Sequence, residues 1–437
     1  MPFSHEWSGA PMTIGKARVL FVNRYFYPDE SASSQLLSDI AFGLAESGMQ
    51  VHVVCSRQLY GHSDAGLSAY EMIRGVAIHR IWTTRFGRNH LLGRGLDYLS
   101  FYLSCTVALL RLLKVRDLLV AKTDPPLISI VAAVAAKCKG AILVNWLQDV
   151  FPEVASTLGA APLLAPLHWT LRRWRDASLR SARVNIVIGL RMKEYLIGRG
   201  IAPATIRVIE NWAIIDTCGP APPHPSKLRQ RLGLEERFVV EYSGNLGRAH
   251  DYITFGEAAL ALHGDPNVQF LFIGGGVRMN DLQIMVKQLR LSNVQFLPYQ
   301  PRESLGDALA SADVHLVSLS PLLEGFVVPS KFYGILAAGR PVVFVGDPDG
   351  ELARVIGASK CGLVVRAGDA AGLAAAINHL RDHPDQRIAM GRAARELSTG
   401  RFDSSQALRS WAALVTGIQA SVPGVPPTGT ASDSNSS

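Results

Sequence analysis

The feature that most constrains this chain is a strand–helix alternation that runs for about half its length, stops at a proline-rich stretch and then starts again. Arg18–Asn23 (RVLFVN) reads as a first strand, and Ser33–Ser47 has the 3.6-residue apolar spacing of a helix closed by Gly48. Further strands are expected at Gln50–Cys55, Gly75–Ile81, Asp117–Ala121, Ala141–Trp146, Val184–Ile188 and Ile206–Ile209, with helices at Leu96–Lys114 and Ile128–Lys139. Residues 216–226 (DTCGPAPPHPS) lack periodicity and read as a linker. The alternation then resumes with strands at Phe238–Ser243, Val268–Ile273, Val294–Phe296, His315–Ser318 and Val342–Val345, followed by the segments Glu351–Ile356 and Gly362–Val365, and helices at Ile253–Leu262, Asp281–Leu289, Ser304–Ala310, Pro329–Ala338, Ala370–His383, Pro384–Ser398 and Ser404–Ile418.

Such alternation builds mainly parallel sheets covered by helices on both faces. The fold class expected is therefore α/β, with two Rossmann-like doubly wound domains facing across a cleft and ligands at the carboxyl ends of the strands. The expected boundaries are a flexible N-terminus at 1–16, a first domain at 17–215, a linker at 216–236 and a second domain at 237–400. A last helix at 401–418 is expected to cross back to the first domain, before a low-complexity, disordered tail at 419–437.

Charge divides the two halves. Residues 1–215 hold 24 Lys+Arg and 15 Asp+Glu, a net +9, whereas residues 216–437 hold 20 and 21, a net −1. The basic excess therefore belongs to the first half. The five cysteines, Cys55, Cys105, Cys138, Cys218 and Cys361, form no CxxC pair, which excludes a disulfide scaffold and fits a reducing compartment. The first sixteen residues include Glu6, Trp7, Gly9 and Pro11 and no apolar run, so no signal peptide is expected. The uncharged run Val154–Leu171 is broken by Gly159, Pro162 and Pro166, so no transmembrane helix is expected either.

Three motifs carry chemistry. Tyr242-Ser-Gly-Asn-Leu-Gly-Arg-Ala-His250 follows a strand and precedes a helix. Gly244 and Gly247 permit a tight turn, Asn245 lies between them, and Arg248 can grip phosphate oxygens bidentately. Phe272-Ile-Gly-Gly-Gly-Val is a second glycine turn, with Gly274 and Gly275 beside a ligand, but Met279 breaks the dinucleotide fingerprint. The most specific is Glu324-Gly-Phe-Val-Val-Pro-Ser-Lys-Phe-Tyr-Gly-Ile-Leu-Ala-Ala-Gly-Arg-Pro341. It sets Ser330 and Lys331 at a helix start, where a cation makes sense if an anion sits there.

This third motif resembles the donor-site signature of family 4 retaining glycosyltransferases with the GT-B fold. It is especially similar to a subgroup that makes bacterial cell-surface polysaccharides and carries PSKxY in the helix. The likeness extends to Val19–Ser34, to Leu44–Val54, to Gln148-Asp-Val-Phe-Pro-Glu153 and to Ile209-Glu-Asn-Trp-Ala213. The resemblance implies that Arg248 and Lys331 neutralise the diphosphate of a nucleotide-sugar, UDP- or GDP-linked, and that Glu324 contacts the donor sugar. The family's second glutamate falls on Phe332, and Glu351 is the substitute candidate for the ribose contact. His250 is a further candidate at the diphosphate, and Asp149 and Glu153 are assigned to the acceptor side. Retention without a covalent enzyme nucleophile is implied. No metal or other cofactor is expected, because two cations and helix amides can stabilise the departing phosphate.

The basic first half holds two segments that mix cations with aromatics, 85–114 and 162–183 (Trp169 and Trp174 beside Arg172, Arg173, Arg175, Arg180 and Arg183). Such segments suit an anionic membrane surface. The expected partners are a nucleotide-sugar, an undecaprenyl-diphosphate-linked glycan acceptor and the inner face of the cytoplasmic membrane. Nucleic acid is not expected, because the basic segments lack any recognition motif. The alternative enzyme class on this fold is a sugar-nucleotide epimerase.

Overall fold

The computed structural model describes residues 18–60, 66–86, 91–159, 167–213 and 226–421. The expected flexible N-terminus, most of the proline-rich linker and the end of the tail lie outside these residues.

Two mainly parallel sheets are present. The first contains β1 (Arg18–Val22), β2 (Gln50–Ser56), β3 (Tyr70–Ile73), β4 (Val76–Ile81), β5 (Leu118–Lys122), β6 (Ile142–Trp146), β7 (Val184–Val187) and β8 (Ile206–Val208), in the order β3-β4-β2-β1-β5-β6-β7-β8. The second contains β9 (Phe238–Asn245), β10 (Val268–Gly275), β11 (Val294–Leu297), β12 (Val314–Ser318), β13 (Val342–Gly346) and β14 (Gly362–Arg366), in the order β11-β10-β9-β12-β13-β14. The chain starts each sheet near the middle, winds to one edge and returns to wind the other way. This is the doubly wound topology, and its switch point in the second sheet lies between β9 and β12. Strands such as β13 (VVFVG) are buried along their whole length, which explains why they read as unbroken apolar runs.

One strand escapes the sequence pattern. β3 pairs antiparallel with β4, from Tyr70 opposite His79 to Ile73 opposite Val76. The two-residue turn between them, Arg74-Gly75, has φ of 46° and 79°, as a type I′ hairpin requires. Arginine is an unusual occupant of that conformation, so the turn carries no sequence signal. The helix His168–Ser181 is also absent from the pattern, because the residues it buries include Arg175, Asp176 and Ser178. Without an apolar stripe it shows no hydrophobic period.

Grouped by contacts, the chain forms two compact units. Among the described residues, one comprises Arg18–Trp146, Ser181–Val184 and Leu408–Ser421; the other comprises Leu147–Arg180 and Asn185–Ala407. In the first, Leu20, Val22, Phe101, Cys105, Leu109 and Leu119 belong to one buried cluster. From Leu408 the helix Ser404–Ala420 joins this unit, with Trp411 ring-packed 4.7 Å from Trp146 and 5.9 Å from Phe21. In the second, Leu147, Val150, Leu179 and Val187 share a core with Phe332, Phe344 and Phe402, which ties the segments after β6 to the second sheet. No helix among the described residues is long and apolar enough to cross a membrane.

Candidate active site

The three sequence motifs meet at the carboxyl ends of β9, β10 and β12, within the second unit. β9 and β10 pair through their glycines, Gly244 opposite Gly274 and Asn245 opposite Gly275. The turns that follow are interlocked: Leu246 N–H donates to the Gly275 carbonyl at 2.7 Å and Arg278 N–H to the Leu246 carbonyl at 3.0 Å. Gly274 and Gly276 have φ of 124° and 121°, and a Cβ on either would stand 2.3–2.4 Å from atoms of the first turn. Only glycine fits both the conformation and the space.

Lys331 reaches into this corner. It opens the helix Lys331–Ala337 and is half-buried. Its ammonium hydrogen-bonds the Tyr242 hydroxyl, lies 3.9 Å from the Tyr242 ring centroid, and stands 3.4 Å from both the Asn245 carbonyl and His250 Nε2. The three polar neighbours are uncharged, and burial holds the lysine well below its ordinary range. His250 Nδ1 is 2.6 Å from the Ser318 carbonyl and must carry its proton there, so Nε2 faces Lys331 as an acceptor. Burial, with Lys331 nearby, lowers the His250 pKa to about 3, which keeps the ring neutral. Arg248 is exposed at the rim of the same loop, and Ser330 is exposed at the helix start without a side-chain cap bond.

Glu324 and Glu351 form a relay of helix caps. Glu324 Oε2 accepts from Glu351 N–H at 3.1 Å, at the start of the helix Glu351–Ser359. Glu324 Oε1 is buried without a partner, and burial raises the pKa of the carboxyl group. A Cβ on Gly350 would stand 2.3 Å from that oxygen. Glu351 in turn accepts from Arg191 N–H at 2.7 Å, capping the helix Leu190–Gly198. Its carboxylate is thus occupied by a helix terminus, whereas Glu324 keeps one oxygen available. Phe332 is fully buried, packed against Tyr333 and Phe402. A glutamate at this position would be a core charge, so its replacement by phenylalanine is consistent with the packing.

The two acceptor-side residues part company. Asp149 forms an antiparallel bridge with Val327, and Val150 N–H donates to the Phe326 carbonyl at 2.9 Å, which sets Asp149 beside the Glu324–Val328 loop. Glu153 is buried, its oxygens held by Arg175 at 2.7 and 3.2 Å and by the Tyr195 hydroxyl. That network also removes Arg175 from the solvent-facing basic cluster in which the sequence placed it: it is 3% exposed and paired with Glu153 and Asp176. Trp169 and Trp174 of the same helix are exposed, with Arg173 over the Trp169 ring.

Two residues were not singled out from sequence. Tyr242 appears there only as the start of a motif, yet it carries the Lys331 contact. Tyr299 is 61% exposed, and its ring would lie 3.1–3.2 Å from a Cβ on Gly274 or Gly275. The only signal was an aromatic in the loop after β11. Among the described residues no group of three His, Cys, Asp or Glu is placed to hold a metal ion.

Two doubly wound sheets, with a lysine and an arginine beside the glycine turn after β9, define the class of the fold. Residues 33–212 match the glycosyl transferase 4-like domain, and residues 226–397 match glycosyl transferases group 1. The chain belongs to the family 4 glycosyltransferases with the GT-B fold. It is 25% identical over 296 residues to WbjE of Pseudomonas aeruginosa, named as a glycosyltransferase, covering 68% of this chain and 74% of that protein. It is 30% identical over 226 residues to WcaI of Escherichia coli K12, named as a colanic acid biosynthesis glycosyl transferase, covering 50% and 55%. The structure of HepE from Anabaena with UDP-glucose superposes with a TM-score of 0.68 at 18% identity, covering 93% of this chain and all of that one.

Proposed function

We propose that this protein transfers a sugar from a nucleotide-diphospho-sugar, with UDP as the first nucleotide to test, to a lipid-linked glycan acceptor in bacterial surface-polysaccharide biosynthesis. The observation that carries the reading is the Lys331 ammonium, held among uncharged acceptors beside the first glycine turn, with Arg248 exposed on the same loop. A lysine so placed gains a charge partner when a diphosphate arrives. The name of WcaI supports the polysaccharide role, that of WbjE the transferase activity, and the UDP-glucose bound to HepE the donor class.

In the proposed mechanism Lys331 and Arg248 stabilise the charge that develops on the departing diphosphate. Glu324 receives a donor-sugar hydroxyl on its unpartnered oxygen. Tyr299 stands beside the second glycine turn, where an exposed ring can stack on the nucleobase. Asp149 orients the acceptor. Transfer proceeds with retention by front-face attack, the leaving phosphate taking the acceptor proton, and needs no divalent metal. The acceptor is an undecaprenyl-diphosphate glycan, and the enzyme works at the inner face of the cytoplasmic membrane.

The test is nucleotide release from a panel of UDP- and GDP-sugars, with and without lipid-linked acceptor. Acceptor-dependent release with a new glycan product is expected. Turnover of free nucleotide-sugar into its epimer, without transfer, would sink the reading.

A further inference from the structure

The helix Leu91–Leu112 has two faces. One is core: Phe101, Cys105 and Leu109 are fully buried in the cluster that holds Leu20, Leu119 and Ala132. The other carries Leu92, Leu96, Leu99, Leu103, Val107 and Leu110, each between 40 and 84% exposed. At 100° per residue their spacing confines all six to an arc of about 80°. The patch continues beyond the helix. Trp82, 63% exposed, lines a shallow cavity of about 390 Å³ with Leu103, Val107 and Arg111. Phe86, 61% exposed, lies where a Cβ on Gly93 would meet it at 2.9 Å.

The charges around this face have one sign. Arg111, Lys114 and Arg116 are exposed at the end of the helix and just after it, whereas Arg94 lies on the opposite side, against Tyr98. The one acidic residue of the helix, Asp97, is 2% exposed and accepts from the Thr84 hydroxyl and the Phe86 N–H. An apolar stripe with cations at its C-terminal end, on a helix without an exposed acid, matches an anionic lipid surface, with leucines among acyl chains and the cations at the headgroups.

We propose that this face of the helix Leu91–Leu112, with Trp82 and Phe86, is the surface by which the protein docks on an anionic membrane. The inference deepens the lipid-linked acceptor reading and rests on it for the purpose of the contact. Because insertion is apolar as well as ionic, binding persists in part when salt screens the arginines.

The test is flotation of the full chain with phosphatidylglycerol–phosphatidylcholine vesicles. Wild type is expected to float, and the double variant Leu99→Glu/Leu103→Glu to lose at least ~10-fold in partitioning, since two leucines no longer enter the bilayer. Arg111→Gln/Lys114→Gln is expected to weaken binding at low salt and to leave a salt-resistant remainder. The side chains are exposed, so unfolding midpoints stay at the wild-type value; if the glutamates disturb folding, Val107→Ser/Leu110→Ser replaces them. Absence of flotation by wild type, or flotation of the leucine variants equal to wild type, overturns the proposal. So does a dimer that the same substitutions dissociate without any vesicle binding, because a second copy then covers the face. Nucleotide-sugar turnover is measured separately: its absence, with flotation intact, defeats the transferase reading and leaves the docking surface standing.

Discussion

The Lys331 ammonium lies 3.4 Å from His250 Nε2, the lone-pair side of a ring whose other nitrogen is bound to the Ser318 carbonyl at 2.6 Å. The histidine therefore aims the lysine as a neutral acceptor. Replacing His250 by alanine is expected to raise the donor KM ~10-fold with a smaller change in kcat, since a misplaced cation weakens binding before it changes the chemistry. Initial rates at varied donor concentration check this; an unchanged KM would contradict the role.

Lys331→Met is expected to lower kcat/KM by ~10²–10³-fold, the scale on which one preorganised charge stabiliser acts. The pH dependence follows from burial. Because the lysine is held below its ordinary range, the donor KM should rise on the alkaline side at a pH below that expected of an exposed lysine. Lys331→Arg, whose charge does not titrate in that range, should flatten the rise. A KM limb identical in wild type and Lys331→Arg would exclude Lys331 as its source.

At Glu324 the observed capping contact and the proposed donor contact can be separated. Glu324→Gln keeps an acceptor for Glu351 N–H, and burial already favours an uncharged carboxyl group, so stability should hold while turnover falls by ~10²-fold. Glu324→Ala removes the cap as well and should cost a further ~1 kcal/mol of stability. Thermal unfolding alongside turnover distinguishes the two.

Acid should destabilise the protein through buried neutral histidines. His250 and His315 are lowered from 6.5 to about 3 and about 4 by burial. Between those values the unfolded chain binds protons that the folded chain does not. The contribution to stability is whole above about pH 6.5 and shrinks as pH falls toward 4. Urea midpoints should drop over that window, and a flat profile from pH 7 to 4.5 would speak against it.

Chelation tests the charge economy of the site. With Lys331 and Arg248 as the phosphate-stabilising cations, turnover is expected to survive EDTA. Loss of turnover on chelation, restored by magnesium or manganese, would show that the two side chains are not enough.

Much of the fold was legible because parallel strands are buried on both faces and read as short apolar runs. β1, β9 and β13 were placed within a few residues of their observed limits. β3 was not, because its hairpin turn uses Arg74 at positive φ. The helix His168–Ser181 was not, because its buried face is ionic. In the site, glycine spacing and the PSK element marked the loops that carry Gly244, Gly274 and Lys331, since tight turns and buried cations restrict residue type. Side-chain partners carry no such restriction. Nothing in the order of residues distinguishes Glu153, locked to Arg175, from Asp149, beside the Val327 strand bridge.

The sequence by itself determined the α/β class, the two sheets and the glycine and lysine loops that the proposed diphosphate site uses, because local periodicity and glycine chemistry act over a few residues. Only the tertiary structure decided that Tyr242 and His250 hold Lys331, that Glu351 caps a helix 160 residues away in the chain, and that the leucines of Leu91–Leu112 divide between core and surface. The physical reason is that burial and hydrogen-bond partnership belong to neighbours in space, and a helix shows its apolar residues to the sequence alike whether they face a core or a membrane.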